Sequence, residues 1–297
     1  MKKLKGNRTA SFIIITIIYI LAAFAGIFIY NALDFEWWIS LLIADVAATV
    51  LVFIFSVILR NASVYDPYWS VQPPVILSAL SLRYGLSAYG MLLIAVVLFW
   101  GIRLTANWAY TFSSLMHQDW RYTMLKEKTG IFYQFVNFTG IHMVPTLIVY
   151  LATLPGAYAI INQLKGSALS VVFLIVSLFA AVMQGVADIE MHRFRKKPDG
   201  RFMRRGLWRN SRHPNYLGEI LMWWGVGLSV LFATPSELWL ISGAVANNVL
   251  FLSVSIPLAD GRQSRKEGFV EYRNETRMLL PIKKRIKSDV SLKNYPA

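Results

Sequence analysis

The sequence predicts an all-α, polytopic transmembrane helix bundle of eight spans, with both termini on the cytoplasmic side. Three observations carry this. The 297 residues are 56% hydrophobic and only 15% charged, against about 25% charge in an ordinary soluble domain. Apolar runs recur that reach the roughly 20 residues a bilayer-spanning helix needs. Almost all of the positive charge falls in alternate connections, the asymmetry that orients membrane proteins.

The expected spans are residues 11–31, 38–60, 68–82, 87–114, 138–161, 167–191, 216–233 and 237–257. The first is too long for the apolar part of a signal peptide and lacks a small-residue cleavage site, so it counts as a helix. The third is short, starts with polar residues and contains Pro73-Pro74, which leaves seven spans as the fallback. No strand alternation and no internal repeat stands out. The whole chain, 1–297, reads as one integral-membrane domain: N-terminal helices over 1–60, a core over 61–281 and a basic tail over 282–297.

With eight spans, 27 of the 30 Lys and Arg residues lie on the side that holds the termini. The opposite connections carry only Arg83 and Lys165, and Arg103 lies within a span. That face is therefore cytoplasmic. The net charge of +14 suits an anionic membrane surface, and no nucleic-acid-binding module accompanies it. The outer connections are brief, so chemistry is expected within the bundle or at its cytoplasmic mouth.

Ionisable residues inside spans are costly and mark cavities or partners. Here they are Asp45, Arg103, His142, Asp188, Glu190 and Glu219. All but Asp45 fall in the cytoplasmic half, which implies one polar vestibule open to the cytoplasm. Glu190 and His142, near the boundary, read more simply as helix-end residues; Arg103 and Glu219, deeper, read as a site. Asp188, His192 and Arg195 share one helical face: an acid to hold a ribose or amide, and an arginine whose planar fork grips phosphate. A solvated helix end accounts for the same spacing. Asp66-Pro67-Tyr68-Trp69 and Asp119-Trp120-Arg121-Tyr122 both sit at cytoplasmic junctions, as interfacial anchors or as donors aimed into the vestibule.

Several chemistries find no support. Cysteine is absent, which removes disulfides and thiolate metal sites. The four histidines form no His-x-x-x-His or His-Glu pair, so no metal is expected. There is no Rossmann glycine fingerprint, Walker loop or Gly-x-Ser-x-Gly elbow. A phosphate-rich cofactor would be held by loops, helix ends and arginines.

The most specific stretch is Gly206-Leu-Trp-Arg-Asn-Ser-Arg-His-Pro-Asn-Tyr-Leu-Gly-Glu219. It sets Arg209, Arg212 and His213 at the start of an apolar run and sinks Glu219 into it. Taken with the segment from Gln184 to Trp224, Ser255-Ile-Pro-Leu, Tyr272 to Pro281, Asp66-Pro-Tyr-Trp, Arg103-Leu-Thr and Asp119-Trp-Arg-Tyr, it resembles the steroid 5-alpha-reductase-like superfamily. The likeness is closest to its bacterial branch of unassigned function (domain of unknown function 1295). The resemblance covers most of the chain from about residue 60. It implies a helical bundle in the bacterial inner membrane that holds NADPH in a cytoplasmic pocket and reduces an activated C=C bond in a lipid or steroid-like enone.

Carried over by motif, the resemblance assigns Asp188, Arg195 and Arg201 to the cofactor, Asn215 and Glu219 to the nicotinamide, and Arg121 and Tyr272 to the phosphate and adenine side. Gln184, Arg103, Arg212, His213 and Tyr216 complete the expected cofactor pocket. Steroid reductases hold the substrate ketone with a Glu and a Tyr in early spans; the nearest counterparts here are Asp66, Tyr68 and, more weakly, Trp100. Asp66, Tyr68 and Glu219 are thus the expected catalytic residues. The closing Ser255-Ile-Pro-Leu-Ala-Asp260 differs slightly from the family's Gly-x-Pro-x-x-Glu.

The main rival is a membrane methyltransferase of the isoprenylcysteine type. Those enzymes share a related His-Pro-x-Tyr-x-Gly element and bind S-adenosylmethionine. Nine Lys and Arg residues between 193 and 212 favour the triphosphorylated dinucleotide. A non-catalytic lipid-binding scaffold would leave Asp188, Asn215 and Glu219 without a purpose. The expected partners are a lipid-like small molecule and membrane lipids; substrate and oligomeric state stay open.

Overall fold

The computed structural model describes residues 2–196 and 202–282. Arg201 and the tail from 283 onward lie outside them. The described residues fold into helices without β-strands, and each expected apolar run becomes helical.

A short α1 (Lys2–Gly6) leads into α2 (Arg8–Ala32). Asn7 caps α2 by accepting the Ala10 N–H at 2.9 Å, which satisfies one of the orphan donors of the first turn. Its buried positions Ser11, Ile15, Ile18 and Ala22 follow helical spacing. The opposite face exposes Ile13, Ile17, Ile20, Phe24 and Phe28, a surface suited to lipid rather than water. Next come α3 (Trp37–Ile58), α4 (Tyr68–Tyr84) and α5 (Ala88–Thr111). The stretch after α5 holds α6 (Trp120–Thr129), the single turn α7 (Tyr133–Val136), a π-helical segment Asn137–Met143 and α8 (Val144–Ile161). Last are α9 (Ala168–Lys196), α10 (Pro214–Leu231), α11 (Ser242–Leu250), α12 (Ile256–Gln263), which α11 reaches through a π-helical turn at Phe251–Ser255, and α13 (Phe269–Glu275).

Among the described residues, six helical stretches are long and apolar enough to cross a membrane: Arg8–Ala32, Trp37–Ile58, Ala88–Thr111, Trp120–Ile161, Ala168–Lys196 and Leu238–Gln263. These mark a membrane protein. The third and seventh expected spans exist as α4 and α10 but fall outside this set. At 17 residues α4 reaches only about 26 Å at 1.5 Å per residue, while the 18 residues of α10 start with Pro214-Asn-Tyr and carry Glu219, which lowers their mean hydropathy.

Pro73-Pro74 do not break α4. Proline inside a helix removes backbone hydrogen bonds and crowds the preceding turn, and α5 accommodates the distortion with a glycine. A Cβ at Gly101 would stand 2.4 Å from Pro74 Cγ and 2.7 Å from the Ser70 carbonyl oxygen. Ser70 Oγ donates to the Pro67 carbonyl and pairs with Thr105 at 2.8 Å, tying the same turn to α5.

The chain divides into two compact units. The first comprises residues 1–178 and 222–248; the second comprises 179–221 and 249 onward. The first is cored by large side chains such as Trp100 and Trp223, whose rings meet edge to face at 4.9 Å. Two buried hydroxyl pairs cross it, Thr49–Thr146 at 3.0 Å and Tyr89–Ser229 at 2.6 Å. The second unit has a small aromatic core of Phe202, Phe269 and Tyr272.

Candidate functional site

In the second unit the motif from Gly206 to Glu219 is built in three steps. First, Gly206 takes a left-handed conformation at φ 56°, open to glycine and costly for other residues. A Cβ there would fall 1.9 Å from Glu190 Oε1. The Leu207 N–H donates to Glu190 Oε2 at 3.0 Å, and Trp208 Nε1 donates to the Ala187 carbonyl at 3.1 Å. Glu190 therefore anchors a loop.

Second, the loop is latched to the C-terminal segment. The Tyr272 hydroxyl donates to the carbonyls of Trp208 and Ser211. The Arg212 and His213 N–H groups donate to the carbonyls of Arg277 and Met278 at 3.0 and 3.2 Å. The Arg212 guanidinium donates to the Thr276 carbonyl at 2.7 Å and to Asp260 Oδ2 at 3.1 Å. His213 Nε2 lies 3.0 Å from Asp260 Oδ1, and its ring stacks on Tyr216 at 5.1 Å with planes 3° apart. Tyr216 in turn packs on Phe251. Arg212, His213, Tyr216 and Tyr272 thus hold the loop and the start of α10 in place.

Third, α10 begins at Pro214, where a missing N–H costs nothing, and closes on α9. A Cβ at Gly218 would meet the Ala180 carbonyl and Gln184 Cβ, both at 2.7 Å. That close approach lets Gln184 Nε2 donate to Glu219 Oε2 at 2.8 Å. Gln184 and Glu219 are 5% and 3% exposed, a buried carboxylate–amide pair between apolar helices. One turn before Glu219, Asn215 carries a side-chain oxygen that is buried and makes no hydrogen bond. One turn after Gln184 lies half-buried Asp188, and further along the same helix Arg195 is exposed. Gln184, Asp188, Asn215 and Glu219 therefore form one polar seam of α9 and α10. An acceptor-rich seam with an unsatisfied amide oxygen can take the N–H groups of a bound ligand.

In the first unit the expected catalytic pair separates. Asp66 Oδ1 accepts from the Tyr122 hydroxyl at 2.6 Å. Burial raises its pKa to about 6, a rise that the Tyr122 hydrogen bond opposes. Tyr68, at the start of α4, instead donates to Asp45 Oδ1 on α3 at 3.0 Å, and Asp45 Oδ2 accepts from Gln72 Nε2 at 2.7 Å. This triad sits in a cavity of about 130 Å³ between α2, α3 and α4. Arg83 also lines it, bonded to the Asn31 side-chain oxygen and lying over the rings of Tyr30 and Tyr84.

Arg121 is forked onto Asp119, with Nε–Oδ1 at 2.8 Å and a terminal nitrogen 3.1 Å from Oδ2. Asp119 is also the cap of α6, accepting the Arg121 N–H. Arg103 is half-buried on α5. Trp100 is a core residue at 1% exposure. His142 is enclosed beside Phe53 and Tyr65, with Nδ1 3.0 Å from the Asn137 carbonyl. No group of three or more His, Asp or Glu side chains placed to hold a metal occurs among the described residues.

Sequence reasoning missed three residues. Asp45 was set aside as the one buried charge outside the cytoplasmic half. Gln72 was hidden by the adjoining prolines, although Tyr68 and Gln72 share a helical face by their four-residue spacing. Asp260 looked like a departure from a motif and is the common acceptor of Arg212 and His213.

No curated protein and no solved structure matches the chain. Residues 52–276, well over half of the sequence, match the family model described as "Protein of unknown function (DUF1295)". The chain belongs to that family, DUF1295.

Proposed function

We propose that this protein is a membrane-embedded, NADPH-dependent reductase of an activated C=C bond in a lipid-like molecule, related to the steroid 5-alpha-reductase-like superfamily. It spans the inner membrane eight times, counting α4 and α10, with both termini and the cofactor end in the cytoplasm. The observation that carries the reading is the buried Gln184–Glu219 pair beside the unsatisfied Asn215 oxygen. Buried polar groups are normally satisfied, and this one has the chemistry to accept a carboxamide N–H.

NADPH, when bound, supplies hydride; the protein supplies geometry and electrostatics. Glu219, fixed by Gln184, and Asn215 orient the nicotinamide carboxamide. Asp188 takes a ribose hydroxyl. Arg195 and, outside the described residues, Arg201 take phosphate. The Asp260–Arg212–His213 latch positions Asn215 by fixing the first turn of α10. In the first unit the cavity between α2, α3 and α4 excludes water around the apolar substrate. Tyr68 there holds a proton shared with Asp45.

A second reading keeps one specific support. Arg212 is engaged with Asp260 and backbone carbonyls, which leaves one cation fewer for phosphates. S-adenosylmethionine has no phosphate, so a methyltransferase of the isoprenylcysteine type is the alternative. Thermal stabilisation separates the two, because a ligand that binds only the folded protein raises its melting temperature. The reductase reading expects stabilisation by NADPH and none by S-adenosylmethionine; the reverse pattern favours the methyltransferase.

A further inference from the structure

The cavity between α2, α3 and α4 has a polar end at Asp45, Tyr68 and Gln72 and another at Tyr30, Asn31 and Arg83, and at the Asp45 end the donors and acceptors do not balance. Both donors there, the Tyr68 hydroxyl and the Gln72 amide nitrogen, are directed onto the Asp45 carboxylate at 3.0 and 2.7 Å. Gln72 Oε1 is buried and has no hydrogen-bond partner, on a side chain only 5% exposed that lines the cavity. An unmet acceptor in apolar surroundings is costly to keep. Between the two polar ends the wall is apolar, with Ala22, Gly26, Val75 and Ala79 among its residues. The lining of α2 runs from Tyr19 to Asn31, about 18 Å of helix, so the space is long and narrow.

We infer that this cavity seats an elongated apolar alcohol, whose hydroxyl donates to Gln72 Oε1. A ketone or ester would set its acceptor oxygen against Gln72 Oε1 and the carboxylate, with both local donors already engaged. An ammonium would find Gln72 Oε1 and the remaining lone pairs of the Asp45 carboxylate but carries a far larger desolvation cost. A neutral hydroxyl brings one donor to that acceptor. The inference rests on the reading of this cavity as the substrate's seat. It narrows the substrate to a lipid that bears a free hydroxyl away from the bond that is reduced.

The test uses the purified full-length protein in detergent, without cofactor. It is titrated with 1-dodecanol, with dodecyl methyl ether and with dodecylamine, and the thermal midpoint is followed. The alcohol is expected to bind about tenfold more tightly than the ether, which has the same oxygen but no donor, and more tightly than the amine. Gln72→Leu is expected to erase the preference of alcohol over ether. Ala79→Phe, which fills the channel without touching the Asp45 end, is expected to abolish both. Equal binding of alcohol and ether, a preference for the amine, or full binding by Ala79→Phe overturns the inference. If Gln72→Leu does not fold, the wild-type comparison and Ala79→Phe decide it alone. NADPH binding is measured separately on the same preparations, so a failed alcohol preference and a failed cofactor reading are told apart.

Discussion

His213 Nε2 lies 3.0 Å from Asp260 Oδ1, and both residues are buried. The same carboxylate receives Arg212 at 3.1 Å. One acid from α12 thus joins the arginine and the histidine that precede α10. The Arg-His-Pro-Asn string accordingly works first as a latch, setting where α10 starts and where Asn215 and Glu219 stand.

Removing that acid leaves an arginine and a histidine buried without their shared partner. Asp260→Ala is expected to lower stability by about 3 kcal/mol, in the range for breaking a buried pair. Thermal melting in detergent checks this. A change within error would mean that the latch is held by the Arg277 and Met278 backbone bonds alone.

Gly206 and Glu190 form a second dependent pair. Gly206→Ala puts a methyl group against the Glu190 carboxylate and asks alanine to adopt a positive φ, so a loss of about 2 kcal/mol or more is expected. Glu190→Ala removes the obstructing group and one acceptor. The double variant should therefore be more stable than the sum of the single losses predicts. Strict additivity in the melting data would contradict the contact.

Asp66 should give the fold a pH dependence whose sign follows from its burial. Burial raises its pKa to about 6, so the folded protein holds this proton more tightly than the unfolded chain. Its contribution therefore falls as pH rises from about 4 to about 6, by roughly 3 kcal/mol. Asp66→Asn should flatten that part of the profile. A wild-type profile that rises over the same interval, with the same slope in the variant, would refute the assignment.

Much of the fold was legible because lipid imposes a simple rule on sequence. Runs such as 11–31 and 167–191 had to be helices, since a spanning backbone must satisfy its own hydrogen bonds. Gln184, Asp188, Asn215 and Glu219 were singled out by the family resemblance; their four-residue spacings put each pair on one helical face, but the contact of Gln184 with Glu219 joins two helices and only the structure shows it. The pairing of Tyr68 with Asp45 was not legible either. It joins residues on two different helices, and the notation of a sequence carries no distance between them. That α4 runs unbroken through Pro73-Pro74 was not legible, because the compensating Gly101 lies on another helix. The count of eight spans likewise depends on α4 and α10, whose short lengths make composition alone indecisive.

The most direct measurement is an equilibrium titration of NADPH, followed by its fluorescence, against wild-type protein and Glu219→Gln, with folding verified for each. The account predicts saturable binding to the wild type and about tenfold or weaker binding to the variant, because a carboxylate acceptor in a dry seam contributes more than an amide. Saturable binding of equal affinity in both proteins, or no binding to the folded wild type, would contradict it.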